Sequence, residues 1–242
     1  MGFVCLAYHR VAQDQASLGD PFAVTPAHLR AHLAWLARRG YRGCSLATLI
    51  NARKNQQRRS IALTFDDGYL DFYTTAWPIL QEFGFGATVF VVTEAVGQIA
   101  NWAEAPVAPL MSWNDLQRLV ESGVEIGAHG TSHRPLDLSS SAERRADLGQ
   151  AYHALSTRLG YSSIGFAYPY GRWSPSAAVA VANAGFQWGC TARGGINHPQ
   201  TPRFKLRRTL IRSQTGLLQF ACQVWTGYAH WRDWRMDVRR IP

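Results

Sequence analysis

The chain has 242 residues, 47% of them hydrophobic, with 25 Lys and Arg against 16 Asp and Glu and a net charge of +9. That is enough apolar material for one large domain or two small ones, and no stretch reaches the ~18–20 unbroken apolar residues of a membrane span. The basic residues form short clusters, Arg38-Arg39, Arg53-Lys54, Arg58-Arg59, Arg144-Arg145 and Arg203-Lys205-Arg207-Arg208, with more in the tail. They suit an anionic partner or an arginine-rich soluble surface alike. Their dispersal, with no nucleic-acid-binding motif, speaks against nucleic acid. Cys5, Cys44, Cys190 and Cys222 include no C-x-x-C pair. A cysteine zinc site is therefore not expected, and three of the four, in apolar stretches, read as buried free thiols of a reducing compartment.

In chain order, "FVCLAY" (3–8) opens as a strand; His9 and Arg10 follow it with no basic leader, so the start reads as structure and not as a signal peptide. A leader already removed is also compatible with it. "TPAHLRAHLAWLARRGY" begins with a Thr25-Pro26 cap and stops at Gly40, a helix. "IALTF" (61–65) and "ATVFVV" (87–92) are strands. "SWNDLQRLVESG" is a helix from Ser112 to Gly123, and "VEIGA" (124–128) is a strand. "SAERRADLGQAYHALSTRLGY" is a helix; "IGFAY" (164–168), "FQWGCT" (186–191) and "KLRRTLI" (205–211) are strands. Strands alternating with helices imply an α/β fold with a largely parallel sheet. About seven strands suit one distorted (β/α) barrel over 1–242, ending in an aromatic and basic helix over 215–240.

The unusual residues fall at strand ends. His9 follows the first strand, Asp66 and Asp67 the second, His129 and His133 the fourth, and Pro169-Tyr170-Gly171 the fifth. In a parallel barrel those ends share the face where active sites are built. Asp-Asp-Gly at 66–68 is also ordinary turn composition, but a turn does not explain the convergence. His129 and His133, four apart, face the same way on a helical turn. With a carboxylate they would make a three-ligand, zinc-like site with an open position. The spacing alone is common on ordinary helices; beside "TFDDG" the metal reading is the stronger.

"TFDDGY" (64–69), "SWNDLQRLVESGVEIGAHGTSHRPL" (112–136) and "GFAYPYG" (165–171) resemble the polysaccharide deacetylases, the NodB-homology group or carbohydrate esterase family four. The resemblance covers about 60–200. It implies a distorted (β/α) barrel and metal-dependent removal of N-acetyl groups from amino sugars. By the same resemblance Asp67, His129 and His133 bind the metal, Asp66 is the general base, and the backbone N–H of Tyr170 meets the oxyanion. "LAYHRV" ahead of "TFDDG" is similar to the permuted branch of biofilm poly-N-acetylglucosamine deacetylases, in which an N-terminal histidine, here His9, is the general acid. Two features depart from the common family pattern. Ala167-Tyr168 stands where an arginine orients the base, and "LRRTLIR" lacks the usual C-terminal histidine. Both agree with the permuted branch, yet they leave the orientation of Asp66 without a source.

The implied cofactor is Zn2+, or Co2+, Ni2+ or Fe2+, since two histidines and a carboxylate accept several metals. The implied substrate is an N-acetylated glycan or lipid-linked sugar, with Tyr69, Pro169 and Trp173 as candidate contacts; Trp102, Trp113 and Trp173 could each stack on a sugar face or pack in the fold, and Trp173, just after Pro-Tyr-Gly, is the best placed. The other reading is a non-catalytic glycan-binding protein on the same fold. His28, His32 and His153 read as helix surface or packing residues, and His198 as a loop residue. In the tail, Leu217, Phe220, Val224, Tyr228 and Trp231 form a helical stripe ending among Arg232, Arg235, Arg239 and Arg240. That suits packing on the barrel, or contact with a membrane interface. The expected location is accordingly cytoplasmic or peripheral at a membrane.

Overall fold

The apolar runs become strands of one parallel sheet. The computed structural model describes residues 2–14, 17, 19–52, 59–102, 106–160 and 165–228. The strands are β1 (Cys5–Tyr8), β2 (Arg10–Val11), β3 (Ala23–Val24), β4 (Arg42–Cys44), β5 (Ser60–Phe65), β6 (Thr88–Val91), β7 (Glu125–Ala128), β8 (Gly165–Ala167), β9 (Trp188–Cys190) and β10 (Thr209–Leu210). The helices are α1 (Pro26–Arg38), α2 (Leu46–Asn51), α3 (Trp77–Glu82), α4 (Trp113–Glu121), α5 (Ser141–Leu159), α6 (Pro175–Asn183) and α7 (Leu217–Thr226). The main sheet runs β10-β1-β5-β6-β7-β8-β9, with β4 beside the first half of β5. β2 and β3 form a separate pair.

The two ends of this order are joined by one segment. Leu206 donates to the Gly189 carbonyl at 3.0 Å and Thr191 donates to the Leu206 carbonyl at 2.8 Å, against β9. A few residues on, Ile211 donates to the Ala7 carbonyl of β1 at 2.9 Å. The sheet is thereby drawn into a barrel. Alternate strand residues fill its inside: Cys5, Ala62, Phe90, Ala167, Trp188 and Cys190 form one buried cluster. Gly165 is required there, because a Cβ would stand 2.1 Å from the Trp188 ring. The other strand faces pack against the helices in the larger core.

The expected helix starts are as read. Thr25 caps α1 through the His28 amide, and Ser112 and Ser140 head capping boxes with Asp115 and Glu143. β4, the β2–β3 pair and helices α2, α3 and α6 were not anticipated; the strands among them are two or three residues long, too short to carry a hydrophobic period. "KLRRTLI" is strand only at Thr209–Leu210. Cys5 and Cys190 are buried, while Cys44 and Cys222 are partly exposed; all four are free thiols.

α7 packs on α1, with Phe220 stacked on His32 at 4.1 Å and edge-on to Trp35 at 5.8 Å. Phe220 and Val224 are buried as the stripe requires, but Leu217 is exposed. Trp231, Arg232, Arg235, Arg239 and Arg240 lie outside the described residues, as do Arg53, Lys54 and Arg58. Among the described residues, no helix is long and apolar enough to cross a membrane.

Candidate active site

The strand ends meet as the topology requires. His9, Asp66, Asp67, His129, His133 and Tyr170 all line one cavity of about 340 Å³. β5 runs into a turn in which Asp67 has φ 74° and Gly68 φ 79°. This left-handed pair separates the two carboxylates. Asp66 faces Arg208 inside the barrel, and Asp67 faces the histidines. Among the described residues, four non-glycine residues have positive φ, and three of them are Asp67, His133 and Tyr170. Backbone strain is thus gathered at the site.

Asp67 Oδ1 lies 3.5 Å from His129 Nε2 and 3.4 Å from His133 Nε2. These ligand-type atoms all lie within 4.8 Å of one another, and all three residues are buried. His129 Nδ1–H donates to the Ala167 carbonyl at 2.7 Å, which leaves its Nε2 lone pair facing Asp67. Burial lowers the His129 pKa to about 4. Burial, and then the His129 charge, lower that of His133 to about 2. Both rings are therefore neutral. Burial, and next the neighbouring Asp66 charge, push the Asp67 carboxyl well above the usual range. Among the described residues Asp67 Oδ1 is buried without a hydrogen-bond partner. An ionised Asp67 in this place calls for a cation, and the neutral imidazoles are donors for one. Two ligands at bond lengths of about 2.0–2.2 Å on a tetrahedral ion stand roughly 3.4 Å apart, so the spacing of Asp67 from each histidine fits a zinc-sized metal.

The His129–His133 segment is a loop and not the helical turn expected from the spacing. Gly130 at φ 80° and His133 at φ 58° break helical geometry. The two rings, with centroids 4.8 Å apart, are brought together by the loop's course instead.

Asp66 is held by a residue that sequence reasoning missed. Arg208 Nη1 and Nη2 donate to Asp66 Oδ1 and Oδ2 at 2.5 and 2.8 Å. The guanidinium also donates to the Thr191 carbonyl at 3.0 Å and to Thr64 Oγ1 at 3.2 Å. Burial would raise the Asp66 pKa, but Arg208, with His129 and His9, overrides it and holds the carboxyl well below the ordinary range. Arg208 thus supplies the orientation that Ala167-Tyr168 cannot. Its signal was alternation: in a strand reading of "KLRRTLI", Arg208 shares the inward face with Leu206 and Leu210.

His9 Nε2 stands 4.0 Å from Asp66 Oδ2, and its ring packs on Phe22 at 4.6 Å. Burial lowers its proton affinity, only partly offset by Asp66. Tyr69 is buried, lines the cavity and hydrogen-bonds Asp67. Tyr170, half-exposed, packs edge-on to His133 at 4.5 Å.

Pro169 and Trp173 do not line the cavity. Pro169 is buried in the turn. The Trp173 indole donates to the Phe204 carbonyl at 2.9 Å and lies beneath Lys205, with Nζ 4.0 Å from the ring centroid. Trp102 takes the place expected of Trp173, lining the cavity and stacking on His133 at 4.9 Å. His32 is a buried packing residue, His153 is exposed on α5, and His198 is exposed in a loop.

Residues 53–189 match the family model described as polysaccharide deacetylase. A putative polysaccharide deacetylase of Bacillus subtilis, YxkH, is 22% identical over 209 residues, covering 85% of this chain and 70% of that protein. The poly-beta-1,6-N-acetyl-D-glucosamine N-deacetylase of Escherichia coli K12 is 26% identical, covering 93% of this chain; the chain spans 39% of that relative. The solved structure of IcaB from Ammonifex degensii superimposes with a TM-score of 0.76 at 25% identity, over 88% of this chain and 93% of that one.

Proposed function

The chain belongs to the polysaccharide deacetylase family, and on that premise we propose that it is a metal-dependent N-deacetylase of polymeric N-acetylglucosamine, with the β-1,6-linked polymer as first candidate. The similarity to the Escherichia coli enzyme supports the linkage. The observation that carries the catalytic reading is the placement of Asp66. It is a buried carboxylate outside the ligand set, tethered by Arg208 and facing His9 in the cavity of the Asp67–His129–His133 group. The complete constellation weighs against a glycan-binding protein without activity.

Asp67, His129 and His133 would hold the metal, which when bound polarises the amide carbonyl and lowers the pKa of a water to roughly 7. Asp66 takes the proton of the attacking water. Arg208 holds this carboxyl below its usual range, so Asp66 is in the ionised form that can accept a proton. Arg208 keeps Asp66 charged and aimed. The Tyr170 backbone N–H is the protein's donor to the tetrahedral oxyanion. His9 delivers a proton to the sugar nitrogen, since an amide anion is too basic to leave. Its lowered affinity makes protonated His9 a strong acid. The C–N bond breaks, the carbonyl carbon gains the water oxygen, and acetate and an amino sugar result. A cavity of about 340 Å³ holds one sugar with its acetamide; Trp102, Tyr170 and Phe22 offer faces to the apolar side of a pyranose.

The test is acetate release from β-1,6- and β-1,4-linked N-acetylglucosamine oligomers and a lipid-linked N-acetylated sugar, before and after chelation. Release that favours the β-1,6 series and stops on chelation is expected. Release unaffected by chelation, or none from any substrate, contradicts the proposal.

A further inference from the structure

The two histidines of the centre are oriented by different means. The His129 ring is fixed by its bond to the Ala167 carbonyl. His133 Nδ1 is buried and has no hydrogen-bond partner among the described residues. Its ring is placed by the course of the 129–133 loop and by contact with Trp102 and Tyr170. What holds that loop therefore decides where His133 Nε2 stands.

The loop is pinned on two sides. On one, the amides of Thr93 and Glu94 donate to the carbonyls of Gly130 and Thr131 at 3.1 and 3.0 Å. On the other, Asp147 reaches in from the second turn of α5. Its Oδ1 accepts the Thr131 amide at 3.0 Å and also the Thr131 hydroxyl. The approach is close: a Cβ on Gly130, itself at φ 80°, would stand 3.1 Å from Asp147 Oδ2. Asp147 ties Thr131, inside the loop, to α5, while Arg144 of the same helix donates to the Leu136 carbonyl at 3.1 Å, three residues beyond His133.

We propose that Asp147 is a positioning residue of the metal centre, clamping Thr131 so that His133 Nε2 is held 3.4 Å from Asp67 Oδ1. This rests on the metal reading given under the proposed function. Removing an outer partner of a ligand typically weakens metal affinity by about 10–100-fold, and here the partner acts through two backbone residues and not through the ring.

The experiment compares zinc affinity, by competition with a chromophoric chelator, in the wild-type chain, Asp147→Ala and Asp147→Asn. Cobalt(II) absorption spectra of the same proteins report ligand geometry. Asp147→Ala is expected to bind zinc about 10–100-fold more weakly with an altered cobalt spectrum. Asp147→Asn, whose amide oxygen still accepts from Thr131, should stay near wild type. A purely structural Asp147 would lower the melting temperature of the metal-free Ala variant but leave its zinc affinity and cobalt spectrum unchanged; that result overturns the inference. If Asp147→Ala does not fold, Thr131→Val, which removes the hydroxyl leg, is read the same way: weaker zinc supports the clamp, unchanged zinc overturns it. A wild-type chain that takes up no zinc overturns the metal reading itself and this inference with it.

Discussion

Arg208 grips Asp66 with both terminal guanidinium nitrogens, at 2.5 and 2.8 Å, across 142 residues of chain. Arg208 also belongs to the segment that closes the barrel. The segment that closes the barrel therefore also carries the group that charges and aims Asp66. Arg208→Met should cost about 3–5 kcal/mol of stability by leaving Asp66 buried without its partner. Of what remains folded, the acid limb of the activity profile should move to higher pH, because burial then raises the Asp66 pKa unopposed by Arg208. Denaturant melts and kcat against pH check both; an unmoved limb would show that Arg208 is only structural.

Asp66→Asn keeps the shape and the Asp67–His129–His133 group but removes the proposed proton acceptor. Zinc content should match wild type, while kcat falls by about 10²–10⁴-fold. Metal analysis on the assayed sample separates the two effects. Loss of zinc together with activity would move Asp66 into the ligand set.

His9→Ala should depend on the leaving group. Amide hydrolysis should drop by about 10²–10⁴-fold. An activated aryl acetate, whose phenolate leaves without a proton, should lose far less. Equal losses on both substrates would assign His9 to binding or packing on Phe22.

Much of this was legible in the sequence because the chemistry sits in short contiguous motifs. Asp66-Asp67 and His129…His133 are residue types that a strand end does not need, and the α/β alternation put them on one rim. What was not legible depended on contacts between distant segments. Arg208 looked like one more member of a basic cluster, since its carboxylate lies far away in sequence. The helical reading of His129 and His133 failed at Gly130, whose positive φ no spacing rule reveals. Trp173 was favoured for its place beside the Pro-Tyr-Gly turn, but the Phe204 carbonyl and Lys205 hold it outside the cavity. Trp102, a candidate ranked below Trp173, is the tryptophan that reaches His133.

His32 makes stability sensitive to acid. Burial lowers its pKa to about 4, against 6.5 in the unfolded chain, more than its bond to the Thr215 carbonyl raises it. Being depressed on folding, it stabilises the fold fully above pH 6.5, and that contribution is lost as pH falls to about 4. At 1.36 kcal/mol per unit the loss is roughly 3 kcal/mol. His32→Gln should remove about one proton from the slope of unfolding free energy against pH in this window. Parallel wild-type and variant slopes would contradict the neutral, buried state.

The most direct test of the central claim is a zinc titration of chelated protein, following acetate release from a β-1,6-linked N-acetylglucosamine oligomer. Activity should rise from nothing to a plateau at one zinc per chain, the stoichiometry of a single Asp67–His129–His133 centre. Full activity before zinc is added, or no activity in a chain that has bound it, would contradict the account.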